Sequence, residues 1–199
     1  MSDRLENLLG ALVLAMSDSL SSAVETAAGH PGAMAAALAV LAQEPGIGIE
    51  QLKRQLARTQ SATVRVVDQL AAEGWAERRA GRDHRSISLV LTDQGMAAAA
   101  RVLDARGAVL RQALAVLDAG ERTVLTAMLE KMLTAVTTGR AHAEQICRLC
   151  DLEACPLPAC PVDCAAGTEP RLATRPQPRP IPRRYRGNEL RPATSRRDQ

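Results

Sequence analysis

Cys147, Cys150, Cys155, Cys160 and Cys164 are the five cysteines of the chain, and all fall within the 18-residue stretch CRLCDLEACPLPACPVDC. Four thiolates converging on one ion make a closed zinc site. The same donors hold an iron–sulfur cluster, where Cys-Pro steps like Cys155-Pro156 and Cys160-Pro161 are also found. Zinc or an iron–sulfur cluster is therefore the expected cofactor. A metal-free thiol switch and purely structural cysteines remain as alternatives, because C-x2-C-x4-C-x4-C-x3-C is not a standard two-pair zinc spacing. The fifth thiol would be a spare, an alternative ligand or a redox partner, and His142 reads as a surface histidine rather than a ligand.

A second group of residues carries different chemistry. Between Lys53 and Arg85 stand eight cationic side chains and four acids, a local balance of +4. Gln60, Ser61 and Arg65 are suited to base edges, since Arg pairs with guanine and Gln with adenine through two hydrogen bonds. Arg58, Thr59 and Arg78 suit backbone phosphates, Arg78 being equally suited to an acidic neighbour. Arg82 and Arg85 suit phosphate or the minor groove. Asp83 is expected to hold an arginine in place, because phosphate repels a carboxylate.

Those side chains need a scaffold, and the stretch from Ile49 to Thr92 supplies one. Leu52 and Leu56 stack on one face of a first helix over Glu50 to Ala57. A second helix opens at Thr59, whose hydroxyl can cap it, and buries Val66, Val67 and Leu70, so that Gln60, Ser61, Val64, Arg65 and Asp68 face outward. Gly74 closes it. The period then changes to two: Trp75 to Arg79 and Ser86 to Leu91 alternate around the polar turn Gly81 to Arg85, which predicts a hairpin. Helix, turn, helix and hairpin make a winged helix-turn-helix, in which the second helix fits a major groove and the hairpin reaches the backbone beside it. Without the hairpin, the same polar face would be an ordinary solvated one.

The flanking segments read as helices. Asp3 and Glu6 have capping-box spacing, and Leu5, Leu8, Leu9, Leu12, Val13, Met16 and Leu20 follow as a helical stripe ending near Gly29-His30-Pro31. An Ala-rich helix spans about Ala33 to Ala42. Thr92 caps a long helix running to the break at Asp118-Ala119-Gly120, and a last helix is expected from about Glu121 to Cys150. The wide apolar stripes of the terminal helices predict a homodimer, which would offer two recognition helices to the half-sites of a pseudo-palindromic operator. The simpler alternative is that the stripes close the monomer core. If the thiols continue the last helix, their chemistry would change the angle between subunits.

The net charge of +3 is unevenly divided, since residues 166–199 hold nine arginines and three acids. That tail, with six prolines, is expected to be disordered, either a basic arm for DNA or a solvated segment without a specific role. Phe is absent, and Trp75 and Tyr185 are the only large aromatics. This argues against recognition by stacking on unpaired bases and in favour of double-stranded DNA. No run of about 18 apolar residues and no cationic, apolar leader is evident, so a cytoplasmic location and no membrane partner are expected. Gly-rich phosphate loops, Gly-x-Ser-x-Gly and His-Glu-x-x-His are missing, so no enzyme is expected.

The residues TQSATVRVVDQLAAEGWAERR and GRDHRSISLVLTDQG, with the Asp-x-Arg pair at Asp83 and Arg85, resemble the recognition helix and wing of the MarR-type transcriptional regulators. The likeness covers about Leu5 to Arg140. Val64 departs from the small polar residue common there, and Ala76 from a bulkier apolar one. The resemblance implies a mainly α fold with a small β-hairpin wing, dimerising through its N- and C-terminal helices. It also implies sequence-specific DNA binding, usually repression, and a small aromatic or phenolic effector. Three parts follow: 1–146 as the DNA-reading and dimerisation domain, 147–165 as the cysteine-rich metal or redox segment, and 166–199 as the tail. The rival reading is a protein-interaction or metal-binding module on a winged-helix scaffold.

Overall fold

The computed structural model describes residues 3–81, 87–152, 154–155 and 159–167. The wing-tip residues Arg82, Asp83 and Arg85, and residues 168–199 of the tail, lie outside the described residues, whereas Ala166 is buried in a small core. The elements run α1 (Arg4–Ala28), α2 (Gly32–Gln43), α3 (Ile49–Leu56), α4 (Gln60–Ala72), β1 (Ala76–Ala80), β2 (Ile87–Leu91), α5 (Asp93–Leu114), α6 (Ala119–Val136), α7 (Arg140–Ile146) and α8 (Pro161–Ala165). This is the mainly helical fold with one small antiparallel hairpin that the sequence implies.

The core is built around α2. Every residue from Met34 to Gln43 is buried, and five of those ten are alanine, so neighbouring helices can approach closely. The C-terminal part of α1 lies against α5 and α2, burying Val24 and Ala28. From the other side α5 contributes Ala98, Ala99, Ala100 and Val102. The absence of Phe is thus offset by methyl groups packed at short range, as close packing demands.

Local sequence sets the helix boundaries. At the start of α1, the backbone N–H of Glu6 donates to the Asp3 carboxylate at 2.8 Å, and the N–H of Asp3 donates to the Glu6 carboxylate at 3.1 Å. This is the expected reciprocal cap. Asp118 and Glu121 form the same pair ahead of α6, each bond 2.9 Å. The triplet Asp118-Ala119-Gly120 is therefore a helix start as well as an interruption, and α6 begins two residues earlier than the sequence implies.

The expected continuous helix from Glu121 to Cys150 is two helices. Thr137 turns extended after Val136, and its hydroxyl donates to the Leu133 carbonyl at 2.7 Å. Gly139 then adopts φ 137°, a conformation that a side chain disfavours. The chain folds back, α7 lies against α3, and α8 lies against α6. The thiols consequently do not extend a dimerisation helix. They sit on a short unit lying against α6 and α3, so the thiols do not continue the last helix, which is the premise for their chemistry changing the angle between subunits.

The terminal stripes do not close the monomer core. α6 has no buried residue over its 18 positions, and Val124, Met128, Leu129, Met132 and Val136 are exposed. Leu5, Leu8, Leu9, Leu12 and Val13 of α1 are exposed as well. By length and composition alone, α1 is apolar enough to cross a membrane, contrary to the expectation from runs of apolar residues.

Candidate nucleic-acid interface

Helix α4 is held from beneath. Val67, Leu70 and Thr63 are fully buried and Val66 nearly so, and the Thr63 hydroxyl donates to the Thr59 carbonyl at 3.0 Å. Thr59 caps the helix as expected, its side-chain oxygen accepting from the Ala62 N–H at 3.3 Å. The turn between α3 and α4 contains Ala57 at φ 52°, the one described non-glycine residue with positive φ. For an alanine this left-handed geometry costs about 1–2 kcal/mol. The tight turn holds it there, with the Ala57 and Arg58 N–H groups donating to the Arg54 and Lys53 carbonyls, each at 3.2 Å. Leu52 and Leu56 close the other side of this corner from α3.

The hairpin is docked by backbone. β1 pairs with β2 antiparallel, Ala76 opposite Leu91 and Ala80 opposite Ile87. On its other edge, Leu89 donates to Ile47 O at 2.9 Å and accepts from the Gly46 N–H at 2.8 Å. The wing is thereby tied to the loop leading into α3. The third backbone partner had no sequence signal, because residues 44–48 lack strand alternation.

Arg58, Thr59, Gln60, Ser61 and Arg65 are exposed together at the start of α4 and the turn before it, with Val64 half-buried. Arg78 departs from this group. Its guanidinium is paired with Asp68 at 2.5 Å, linking β1 to α4. Of its two roles weighed from sequence, the acidic partner is the one seen. Lys53 pairs with Glu50, and Arg79 with Glu77. Arg58 and Arg65 make no ion pair among the described residues, which leaves two exposed cations beside Gln60 and Ser61. Exposed pairs such as Arg78–Asp68 are worth roughly 0–1 kcal/mol, so a phosphate can compete for that arginine.

Sequence reasoning missed the links behind this surface. The buried Gln43 side chain donates to the Cys150 carbonyl at 2.8 Å and accepts from the Leu152 N–H at 2.7 Å. Glu44 accepts from Gln51 at 3.2 Å and from Gln55 at 3.1 Å, and Arg54 of α3 faces Glu144 of α7 at 3.8 Å. Arg140 pairs with Asp163 at 2.5 Å, fastening α7 to α8. Only the odd burial of polar residues at a helix end could have pointed to Gln43, and burial is not a sequence property.

The thiols gather where these links meet. Cys160 is buried with Ala143, Val162 and Ala166, and Cys147 and Cys155 pack against that small core. Cys147 lies beside Cys150 and Cys155 beside Cys160, each pair near enough for one thiol to shift the other by hydrogen bonding. The bond from Cys147, together with the guanidiniums of Arg106 and Arg148, holds the Cys150 thiol down to about 6 against the opposing effect of burial. The same shared bond, then burial, pushes Cys147 up. Burial first, and Cys160 second, push Cys155 up to about 11. Cys164 is exposed. Among the described residues, no three His, Cys, Asp or Glu side chains are grouped as ligands of a single ion. His142 contacts the Thr138 hydroxyl at 3.1 Å.

Comparison with known proteins agrees with this arrangement. A family model described as MarR family matches residues 35–87, the span from the core helix α2 to the start of β2. A MarR-family transcriptional regulator from Silicibacter pomeroyi is similar at 27% identity over 68% of this chain and 94% of its own, with a TM-score of 0.55. A MarR family protein of Mycobacterium tuberculosis in complex with DNA gives 25% identity over 66% and 98%, with a TM-score of 0.54. The same mycobacterial protein in complex with salicylic acid gives 28% identity over 66% and 97%, with a TM-score of 0.51. No curated protein matches. With residues 35–87 matched by the family model and 94–98% of the length of these solved regulators spanned, the chain has the winged-helix fold of the MarR family.

Proposed function

We propose that the protein is a sequence-specific transcriptional regulator, a repressor, that binds a pseudo-palindromic operator in double-stranded DNA as a homodimer. The observation that carries this reading is the face of α4. Gln60, Ser61 and Arg65 stand exposed beside Arg58, while Thr63, Val66, Val67 and Leu70 fix the helix from below. Rigid placement matters because base readout needs side chains held at hydrogen-bond range. The mycobacterial relative in complex with DNA supports the same use of this fold. Its complex with salicylic acid supports a small-molecule effector.

Two-fold assembly is assigned to the exposed stripes of α1 and α6. α1 is an integral wall of the domain, packed on α2 and α5, and its free apolar half suits a second copy of the chain rather than a bilayer. A cytoplasmic site of action follows from the DNA ligand. Regulation is assigned to the cysteine-rich segment.

Binding to the DNA upstream of its own gene, measured by fluorescence anisotropy over a salt series, tests the reading. Replacing Arg65 by Ala is expected to weaken operator binding by roughly 1–3 kcal/mol and to relax preference at one base pair. Replacing Arg85 by Ala is expected instead to weaken all sequences alike and to flatten the salt dependence by about one unit of slope. A wild-type chain that binds no promoter fragment at low ionic strength overturns the proposal.

A further inference from the structure

The four inner thiols lie on three short pieces of backbone that the fold brings together. Cys147 follows α7, and the Cys150 N–H donates back to its carbonyl at 2.9 Å. Cys155 closes the next turn, its N–H donating to the Asp151 carbonyl at 3.2 Å. Cys160 is the residue preceding α8 and is 4% exposed. Cys147 and Cys155 therefore pack against the small core that holds Cys160, and Cys150 stands one tight turn beyond Cys147.

Which group suits that arrangement is a question of spacing. A zinc ion requires all four sulfurs about 2.3 Å from one point. The spacing C-x2-C-x4-C-x4-C-x3-C is not one of the standard two-pair zinc patterns. An iron–sulfur cluster is bound through different irons, so its four sulfurs surround a larger body and stand farther apart. Four thiols spread over three separate pieces of backbone suit such a body. The Cys-Pro steps at Cys155 and Cys160 agree with it.

We propose that Cys147, Cys150, Cys155 and Cys160 hold one iron–sulfur cluster, with Cys164 outside the ligand set, and that loading this site changes the DNA affinity of the chain. The route of the second effect is short. Gln43, the last residue of α2, grips both sides of the thiol loop through Cys150 and Leu152. Arg54 of α3 meets Glu144 of α7. A cluster bound by these four thiols therefore fixes the loop that Gln43 holds and the helix that Arg54 meets, and so bears on the end of α2 and on α3. This half of the proposal rests on the DNA-binding reading above; the cluster half does not.

The test uses the full chain purified without oxygen. Iron, acid-labile sulfide and zinc are measured per chain, together with visible absorption. Equal iron and sulfide with visible absorption is expected, lost in Cys147→Ser, Cys150→Ser, Cys155→Ser and Cys160→Ser but kept in Cys164→Ser. Zinc without sulfide, a colourless disulfide-bonded chain, or loss of the cluster in Cys164→Ser alone overturns the assignment. Far-ultraviolet circular dichroism of each serine variant separates ligand loss from unfolding. For the coupling, operator affinity is compared between loaded and cluster-free protein. A difference of at least tenfold is expected, shrinking in Gln43→Ala, which retains the cluster. Equal affinity of both wild-type forms overturns the coupling and leaves the regulator reading standing, whereas absence of DNA binding in both sinks the regulator reading and leaves the cluster standing.

Discussion

A Leu12→Glu chain is expected to run as a monomer at concentrations where the native protein is dimeric, and to lose nearly all operator binding. Leu12 is 57% exposed in the single chain, in the stripe with Leu5, Leu8, Leu9 and Val13. Full burial of a leucine side chain contributes roughly 1.5–3 kcal/mol. A two-fold interface repeats every residue, so removing Leu12 acts twice, about 3–6 kcal/mol in all. Burying the new carboxylate adds to that cost. Dimerisation should weaken by roughly two to four orders of magnitude. Operator affinity falls with it, because one recognition helix alone gains only half of the contacts. Light scattering behind a sizing column reads the mass, and anisotropy reads the DNA. A variant that remains dimeric with native affinity would remove α1 from the interface.

The second large effect concerns the core of the DNA-reading unit. A Cβ built on Gly95 would lie 2.0 Å from the Trp75 carbonyl oxygen, 2.9 Å from its carbon and 3.2 Å from Leu91 Cβ. Most of that obstacle is backbone, so no rotamer change relieves it. The same Trp75 oxygen accepts from the Thr92 N–H at 3.0 Å, and the Thr92 hydroxyl both accepts from the Gly95 N–H at 3.1 Å and donates to Gly74 O at 2.7 Å. Gly95→Ala therefore forces the first turn of α5 away from the start of β1 and disturbs three hydrogen bonds at once. Overpacking of this kind costs about 3 kcal/mol or more. For a chain of this size that corresponds to a fall in melting temperature of roughly 6–12 °C. A thermal melt within 2 °C of the native protein would show that α5 yields without strain.

The sequence made the DNA-reading unit legible because its signals are local. Thr59 caps α4, Val66, Val67 and Leu70 repeat at helical period, and the wing alternates, each within a few residues. The break at Thr137 to Gly139 was hidden by the apolar stripe of α6, which reads on smoothly towards Ile146 and Cys147. Two β-branched residues and a glycine outweigh that stripe only because α7 has somewhere to go, against α3. The docking of the thiol loop depends on Gln43 bonding to a carbonyl 107 residues away, and no periodic pattern encodes such a contact. The same holds for Gly95, whose need for a bare α-carbon is set by Trp75 across the sheet edge. As for the wing tip, Arg82, Asp83 and Arg85 keep their sequence-based roles as expectations.

The indole of Trp75 meets the His30 ring edge-on at 5.5 Å between centroids, and His30 in turn reaches Glu73 at 3.2 Å. It is the single tryptophan of the chain, placed where α4 ends and β1 begins. A fluorophore thus stands at the joint between α4, the helix assigned to base edges, and the first strand of the wing. Its emission should shift as that joint flexes on an operator, which gives kinetics of engagement on native material with no dye attached.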